Sequence, residues 1–272
     1  MKVIAVSDQH LGYENSDKVA FNQFLDQLQE DSELTDLVLL GDVVDMWRRD
    51  SSGVFLENKE TVNRIFALRK KNKELTVHYV AGNHDFHVLR LRNFDYPFDF
   101  SPTLRLEDRD CDYVYEFVHG YEFDLLQQEP LMEGLCHVMS DGTGNFESDV
   151  WGALTAGWSD VEFILAVLRR NRKNRLRGDV QGLQTRPEER LKATMGEVEK
   201  RACQRAKILQ PNGILVFGHT HKPFVDTTET VANTGSWVTD ATYEHNTYVE
   251  LSGGKPRLFV FGGQQITKRI QC

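Results

Sequence analysis

The apolar residues of this chain gather into short unbroken runs, and each run stops at an acid, an amide or a histidine. Val3-Ile-Ala-Val6 stops at Ser7-Asp8, and Leu37-Val-Leu-Leu40 at Gly41-Asp42. Thr76-Val-His-Tyr-Val-Ala81 runs into Gly82-Asn83, and Gly213-Ile-Leu-Val-Phe217 into Gly218-His219. Continuous aliphatic runs of this length predict strands buried on both faces, as found inside parallel sheets. Tyr113-Val-Tyr-Glu-Phe-Val118 alternates instead, and stops at His119-Gly120. Between the first two strands, Ser16 or Asp17 predicts a helix N-cap, followed by Val19, Phe21, Phe24, Leu25 and Leu28 at helical spacing. That helix is the crossover of a right-handed βαβ unit. A second amphipathic helix is expected over about 58–71, with Val62, Ile65, Phe66 and Leu68 inward and a basic last turn (Arg69, Lys70, Lys71) that suits the helix dipole.

The pattern changes twice further on. Residues 93–112 are acidic, aromatic and proline-containing, which predicts an irregular connection along the surface. From about 125 to 207 strand signals give way to helical ones, including Val161-Glu-Phe-Ile-Leu-Ala-Val-Leu168 and the charged stretch from Glu188 to Arg205. Strand patterning resumes at 213, so this stretch reads as a helical insertion into a single domain of 1–272. Short β segments at 229–236, 246–251 and 256–262 follow, and the tail from Gly262 carries no pattern.

Composition narrows the class. The 272 residues carry a formal charge of −9, so no global field draws the protein to nucleic acid or anionic lipid. No apolar run approaches the length of a membrane span, and the first apolar stretch is too short for a signal peptide, which makes a cytoplasmic protein the expectation. Cys111, Cys136, Cys203 and Cys272 are scattered, a usage that suits a reducing compartment better than a disulfide framework or a zinc cluster.

Five strand ends carry a candidate ligand: Asp8 with His10, Asp42, Asn83 with His84, His119, and His219 with His221. One histidine at a strand end is ordinarily a packing residue. Five of the chain's nine, joined by two aspartates and an asparagine, point to a shared site. Oxygen and imidazole donors without thiolate suit manganese, iron, zinc or cobalt rather than a structural thiolate site. The number of donors exceeds what one ion takes, so two ions are expected. Asp42 suits a bridging position, one carboxylate oxygen facing each ion.

These residues resemble the calcineurin-like metallophosphoesterases. The family's blocks stand in order as Asp8-Gln-His10, Gly41-Asp42-Val-Val-Asp45, Gly82-Asn-His-Asp85, His119-Gly120 and Gly218-His-Thr-His221. The resemblance implies an α/β fold, a four-layer αββα sandwich with the helical insertion at its active-site edge. It also implies that Asp8, His10 and His221 hold one metal, that Asn83, His119 and His219 hold a second, and that Asp42 bridges them. His84 would contact the phosphate and aid the leaving oxygen, Asp85 would orient the His84 ring, and Asp45 would stand behind the ligands. Two divalent ions, manganese foremost and otherwise iron, zinc or cobalt, would lie about 3.5–4 Å apart and share a hydroxide for in-line attack on phosphorus.

Within the family the chain is most similar to the UDP-2,3-diacylglucosamine pyrophosphatase-like branch, through Trp47 after the second block, Lys222-Pro223 after His221, and Asn233-Thr-Gly-Ser-Trp237. Two positions depart from that branch: Tyr121 stands where an acid usually follows His119-Gly120, and His84 where arginine is frequent. Arg48 and Arg49 are candidate phosphate contacts. So are Arg169, Arg170 and Arg172, within the basic run 169–177, which reads either as a solvated helix face or as a cationic lid. Trp151 and Trp158 suit either the packing of the insertion or an acyl groove. The expected activity is dimetal-dependent hydrolysis of phosphodiester or diphosphate bonds in an anionic substrate, with no membrane insertion. A repair-type nuclease, suggested by Asp8-Gln-His-Leu-Gly-Tyr13, is disfavoured by the charge. The same blocks would also serve a phosphomonoesterase, whereas a non-catalytic scaffold would be expected to have lost some of the ligands that this chain keeps. No pattern sets an oligomeric state.

Overall fold

A computed structural model of the chain describes residues 1–94, 96, 98–108, 110–123 and 187–272. The apolar runs become strands β1 (Lys2–Val6), β2 (Asp36–Leu40) and β3 (Thr76–Val80), parallel to one another and adjacent. The crossover helix α1 (Lys18–Leu28) starts where Asp17 accepts a hydrogen bond from Ala20 N, a cap worth about 1 kcal/mol. It buries Phe21, Phe24, Leu25 and Leu28. The second helical segment divides into α2 (Ser51–Glu57) and α3 (Lys59–Lys71), so helix begins earlier than the periodicity from 58 predicts. Asp50 caps α2 by accepting from Gly53 N.

The stretch 93–112 differs from its expected irregular course. A 3₁₀ segment (Phe86–Asn93) leads into β4 (Asp99–Ser101) and β5 (Thr103–Asp108). Phe98 and Phe100 pack beside Tyr79, and β4 takes its backbone partners from the open edge of β3. In β5 the alternation of Leu104 and Leu106 with Arg105 and Glu107 fits a half-buried strand paired with β6 (Tyr113–Val118). Helix α4 (Pro187–Ala206) matches the last part of the expected insertion. The remainder of that insertion, with Trp151, Trp158, Arg169, Arg170 and Arg172, lies outside the described residues.

The rest of the chain supplies β7 (Gly213–Phe217), β8 (Phe224–Asp226), β9 (Val231–Asn233), β10 (Thr247–Ser252) and β11 (Lys255–Val260). The tail adds β12 (Gln264–Ile266) and β13 (Arg269–Ile270). Gly262 and Gly263 turn it back at φ 103° and 86°, so that β12 can pair with β11. One sheet runs β12-β11-β10-β1-β2-β3-β4 and the other β13-β8-β9-β7-β6-β5.

The two sheets meet face to face. Val3, Ala5, Val38, Leu40 and Val80 of the first pack with Tyr115, Phe117, Ile214, Val216 and Ala232 of the second. On the outer face of the first sheet lie α1 and α3; on that of the second, Val198, Ala202 and Ala206 of α4 cover Leu215, Phe217 and Val231. These are the four layers of an αββα sandwich. Among the described residues no helix is long and apolar enough to cross a membrane.

One expectation is corrected. Cys203 in α4 and Cys272 form a disulfide, although 69 residues separate them. The β13 tail pairs with β8 and brings Ile270 and Cys272 against the apolar face that α4 covers. Tertiary packing, invisible to cysteine spacing, makes the bond.

Candidate active site

Each sheet has a parallel centre, β1-β2-β3 in one and β6-β7-β9 in the other, and the strand ends carrying candidate ligands share one rim. The loops leaving β1 and β2 run on side by side, with Asp8 N donating to Gly41 O, His10 N to Asp42 O and Asp45 N to Leu11 O. Across the sandwich, His119 Nδ1 donates to Leu40 O over 2.8 Å, tying β6 to β2 at the same rim. The strands stop where the chain turns left-handed: Asp8, His10, Asp42, His219 and His221 all have φ between 46° and 65°. Asp and His tolerate this conformation better than most residues, yet five instances in one site concentrate backbone strain there. Glycine completes the approach, since a Cβ on Gly82 would lie 2.1 Å from Asp42 Oδ1.

The donors converge in two groups. Asp8, His10 and His221 offer ligand atoms within 4.8 Å of one another, as do Asp42, His119 and His219. Asp8 Oδ1 lies 3.2 Å from His221 Nε2, 3.7 Å from His10 Nε2 and 3.9 Å from His119 Nε2. Asp42 Oδ2 lies 3.1 Å from His119 Nε2 and 3.8 Å from His10 Nε2, so this one oxygen faces both groups. Its other oxygen accepts from His84 N over 2.8 Å. Asp42 Oδ2 is thus the oxygen placed between the two groups, while Oδ1 carries one backbone hydrogen bond. Asn83 is buried at the same rim.

Asp45 has a larger part than its place behind the ligands suggests. Its Oδ2 accepts from His10 Nδ1 over 3.2 Å and its Oδ1 from His84 Nδ1 over 3.1 Å. It also accepts from Trp47 N, Arg48 N and the Arg48 guanidinium. His10, Asp45 and His84 form a third compact group, but a carboxylate with this many donors has no lone pair left for an ion. The group is a hydrogen-bond relay that turns His10 Nε2 toward the centre. Trp47 stacks on His84 with ring centroids 4.1 Å apart.

The expected orienting role of Asp85 is corrected by this geometry. Asp85 accepts from Val43 N and Tyr79 Oη over 2.7 Å each, and from Gly82 N over 2.6 Å. It staples the Gly41 and Gly82 loops together, and Asp45 holds the His84 ring in its place. Arg48 lies beside the centre, committed to Asp45 and stacked 4.3 Å from the Tyr13 ring centroid. Arg49 pairs with Glu57 at 3.7 Å. Arg169, Arg170 and Arg172 lie outside the described residues.

Burial alone would push the His10 and His119 imidazoliums down. Asp45, Asp8 and Asp42 around His10, and Asp42 and Asp8 beside His119, reverse this and raise both to about 10. For His219, burial and the neighbouring His119 charge outweigh the pull of Asp42 and Asp8 and push it down to about 3. Burial and the Asp42 charge lift Asp85 to about 6. In the metal-free protein the two raised imidazoles contribute stability that is full below their ordinary value of 6.5 and lost as pH rises through about 10. A cation must displace those protons. Metal loading near pH 7.5 is therefore expected to release protons and to tighten between pH 6 and 8, read by calorimetry in buffers of differing ionisation enthalpy. Uptake with no proton release and no pH dependence would show that these imidazoles are not displaced.

The donor set fits divalent cations. Asp8 Oδ1, His119 Nε2 and His219 Nε2 are buried and belong to the two groups, and His219 Nε2 has no hydrogen-bond partner among the described residues. Buried polar atoms left bare cost about 1–3 kcal/mol each unless a ligand satisfies them. His10 and His119 are held through Nδ1 with Nε2 inward, the arrangement of ligating imidazoles with an outer hydrogen bond.

The sequence matches the calcineurin-like phosphoesterase family over residues 1–223, and the chain belongs to that family. It is accordingly a metal-dependent phosphoesterase. No curated protein matches the sequence significantly. Among solved structures, a phosphoesterase from E. coli, YfcE, is similar at 16% identity and TM-score 0.48, covering 98% of this chain and 97% of its own. A dimetal phosphatase from Danio rerio is similar at 12% identity and TM-score 0.44, covering 96% and 99%. A Zn²⁺ complex of Vps29 from Entamoeba histolytica is similar at 12% identity and TM-score 0.39, covering 95% and 89%.

Sequence reasoning gave no site role to Ser7, which donates to Asp8 Oδ2, or to Thr234, whose Oγ1 lies 2.6 Å from Ser7 Oγ. Serine and threonine are too common for any spacing to mark them.

Proposed function

We propose that the chain hydrolyses phosphodiester or diphosphate bonds at a two-metal centre. Asp8, His10 and His221 hold one ion, Asn83, His119 and His219 the other, and Asp42 Oδ2 joins them. The observation that carries this reading is the position of Asp42 Oδ2, 3.1 Å from His119 Nε2 and 3.8 Å from His10 Nε2. Divalent cations there, manganese foremost, supply positive charge for the phosphoryl oxygens and lower the pKa of water. With Nδ1 bonded to Asp45, His84 has Nε2 on its free ring edge for the phosphate and the leaving oxygen. Once the water has given a proton to solvent, its oxygen would bond to phosphorus as the bond to the leaving group breaks, and a proton from Nε2 would go to the departing oxygen. Arg48, on leaving Asp45, is placed to meet the phosphate.

The finer resemblance, through Trp47, Lys222-Pro223 and Asn233 to Trp237, favours a nucleoside diphosphate-linked lipid sugar of the UDP-2,3-diacylglucosamine type. The test is hydrolysis of an aryl phosphodiester and the matching monoester by chelated, Mn²⁺-reconstituted protein, with UDP-2,3-diacylglucosamine as a third substrate. Chelator-sensitive diester cleavage and release of UMP are expected. A marked preference for the monoester would replace this reading with a phosphomonoesterase.

A further inference from the structure

Residues 233–235 lie beyond the part of the chain that matches the family, yet they touch both halves of the centre. Asn233, at the end of β9, is fully buried. Its Nδ2 donates to Gly218 O over 2.8 Å and to Thr220 Oγ1 over 3.1 Å, while its Oδ1 accepts from Gly235 N over 2.8 Å. Gly218 and Thr220 flank His219, and Thr220 immediately precedes His221. One carboxamide thus grips a four-residue turn in which both histidines sit at positive φ. Backbone held in that conformation persists only where its surroundings over-determine it.

The next residue reaches the opposite sheet. Thr234 N donates to Phe217 O, and Thr234 Oγ1 lies 2.6 Å from Ser7 Oγ. Ser7 Oγ donates to Asp8 Oδ2, which also accepts from His219 N over 3.0 Å. The carboxylate is the strongest acceptor on this path, so the Ser7 proton goes to it and the Thr234 proton to Ser7, which is nearer than the alternative acceptor Phe217 O at 3.4 Å. With Oδ2 occupied twice, Asp8 turns its other oxygen toward His221, His10 and His119. Ser7, Thr234 and Asn233 are all buried, so no solvent competes for these bonds.

We infer that Asn233 and Thr234 form a two-armed clamp that sets the metal affinity of the centre, Asn233 through the Gly218–His221 turn and Thr234 through Ser7 onto Asp8. They are positioning residues and meet no ion. The inference rests on the two-metal reading of the site, and the arms differ in reach. The Thr234 arm acts on Asp8, in the group with His10 and His221. The Asn233 arm acts on the turn that supplies His219 to one group and His221 to the other.

The test is calorimetric titration of the metal-free full chain with Mn²⁺ alone, with the unfolding temperature of each metal-free variant measured alongside. Thr234→Val keeps the side-chain shape and removes the hydroxyl, and is expected to weaken one of two Mn²⁺ sites by about 10- to 100-fold. Thr234→Ser restores the hydroxyl and is expected to restore that site. Asn233→Asp keeps the shape and sets a carboxylate oxygen against Gly218 O, and is expected to weaken both sites by a similar factor. A merely structural role would lower the metal-free unfolding temperature with both affinities intact, and that result overturns the clamp. Wild-type protein taking up fewer than two Mn²⁺ overturns instead the two-metal reading on which the clamp depends. Should Asn233→Asp fail to fold, the Thr234 pair decides alone.

Discussion

Asp42→Asn is expected to lower turnover of an aryl phosphodiester by on the order of 10³-fold or more, and to leave the protein with fewer than two metal equivalents. The size follows from how the two carboxylate oxygens are used. Oδ1 accepts from His84 N and Oδ2 is the atom facing both ligand groups. A carboxamide has only one acceptor oxygen. With that oxygen at the Oδ1 position, the –NH₂ points at His119 and His10 where a cation belongs. Flipped, the –NH₂ meets the His84 N–H, donor against donor in a buried site. Neither orientation keeps both functions, and the negative charge is lost in both. Metal analysis beside steady-state rates checks this. Full metal content with turnover within tenfold of wild type would remove Asp42 from the bridging position.

The second large effect is expected at His84, with a different signature. His84→Ala should lower turnover by about 10²–10⁴-fold for a phenolate leaving group, while metal content stays at the wild-type value. The loss should be much smaller for 4-nitrophenolate, an oxygen that departs without needing a proton. Metal retention follows from the geometry, because the contact with Asp42 is made by the His84 backbone N–H, which alanine keeps. What alanine removes is the ring stacked on Trp47 and bonded to Asp45. Equal losses for the two leaving groups would mean that His84 acts on the phosphate alone. Loss of metal would mean that the relay through Asp45 to His10 is needed for binding.

Much of this site was legible because its chemistry is tied to strand ends. A buried parallel strand announces itself as an aliphatic run, and the residue after the run has to lie at the carboxyl edge. Asp8, Asp42 and His219 could therefore be placed at carboxyl edges before any contact was known, whereas the alternating strand before His119 gave no such sign. The residues behind them were not legible in the same way. Asp45 and Asp85 are both aspartates three residues beyond a strand-end motif position, Asp42 in one case and Gly82 in the other. Which of them meets the His84 ring depends on how two loops from different strands cross. The structure brings Asp45 under His84 and His10, and draws Asp85 down to Tyr79 and the Gly82 amide. The tail after Gly262 and the stretch around β4 and β5 were likewise undecided by pattern. Short strands at a sheet edge take their conformation from the partner's free backbone groups more than from their own residues.

The sequence by itself determined the α/β class, the parallel run of β1 to β3 and the candidate donor side chains, because burial on two faces demands aliphatic runs and metal-type chemistry favours Asp and His at their ends. Tertiary structure alone decided that Asp42 Oδ2 faces both ligand groups, that Asp45 serves two histidines, and that Thr234 reaches Asp8 through Ser7. It alone also paired Cys203 with Cys272. Each of these is a contact between segments far apart in the chain. Such contacts are set by how the layers pack, and no local periodicity carries that information.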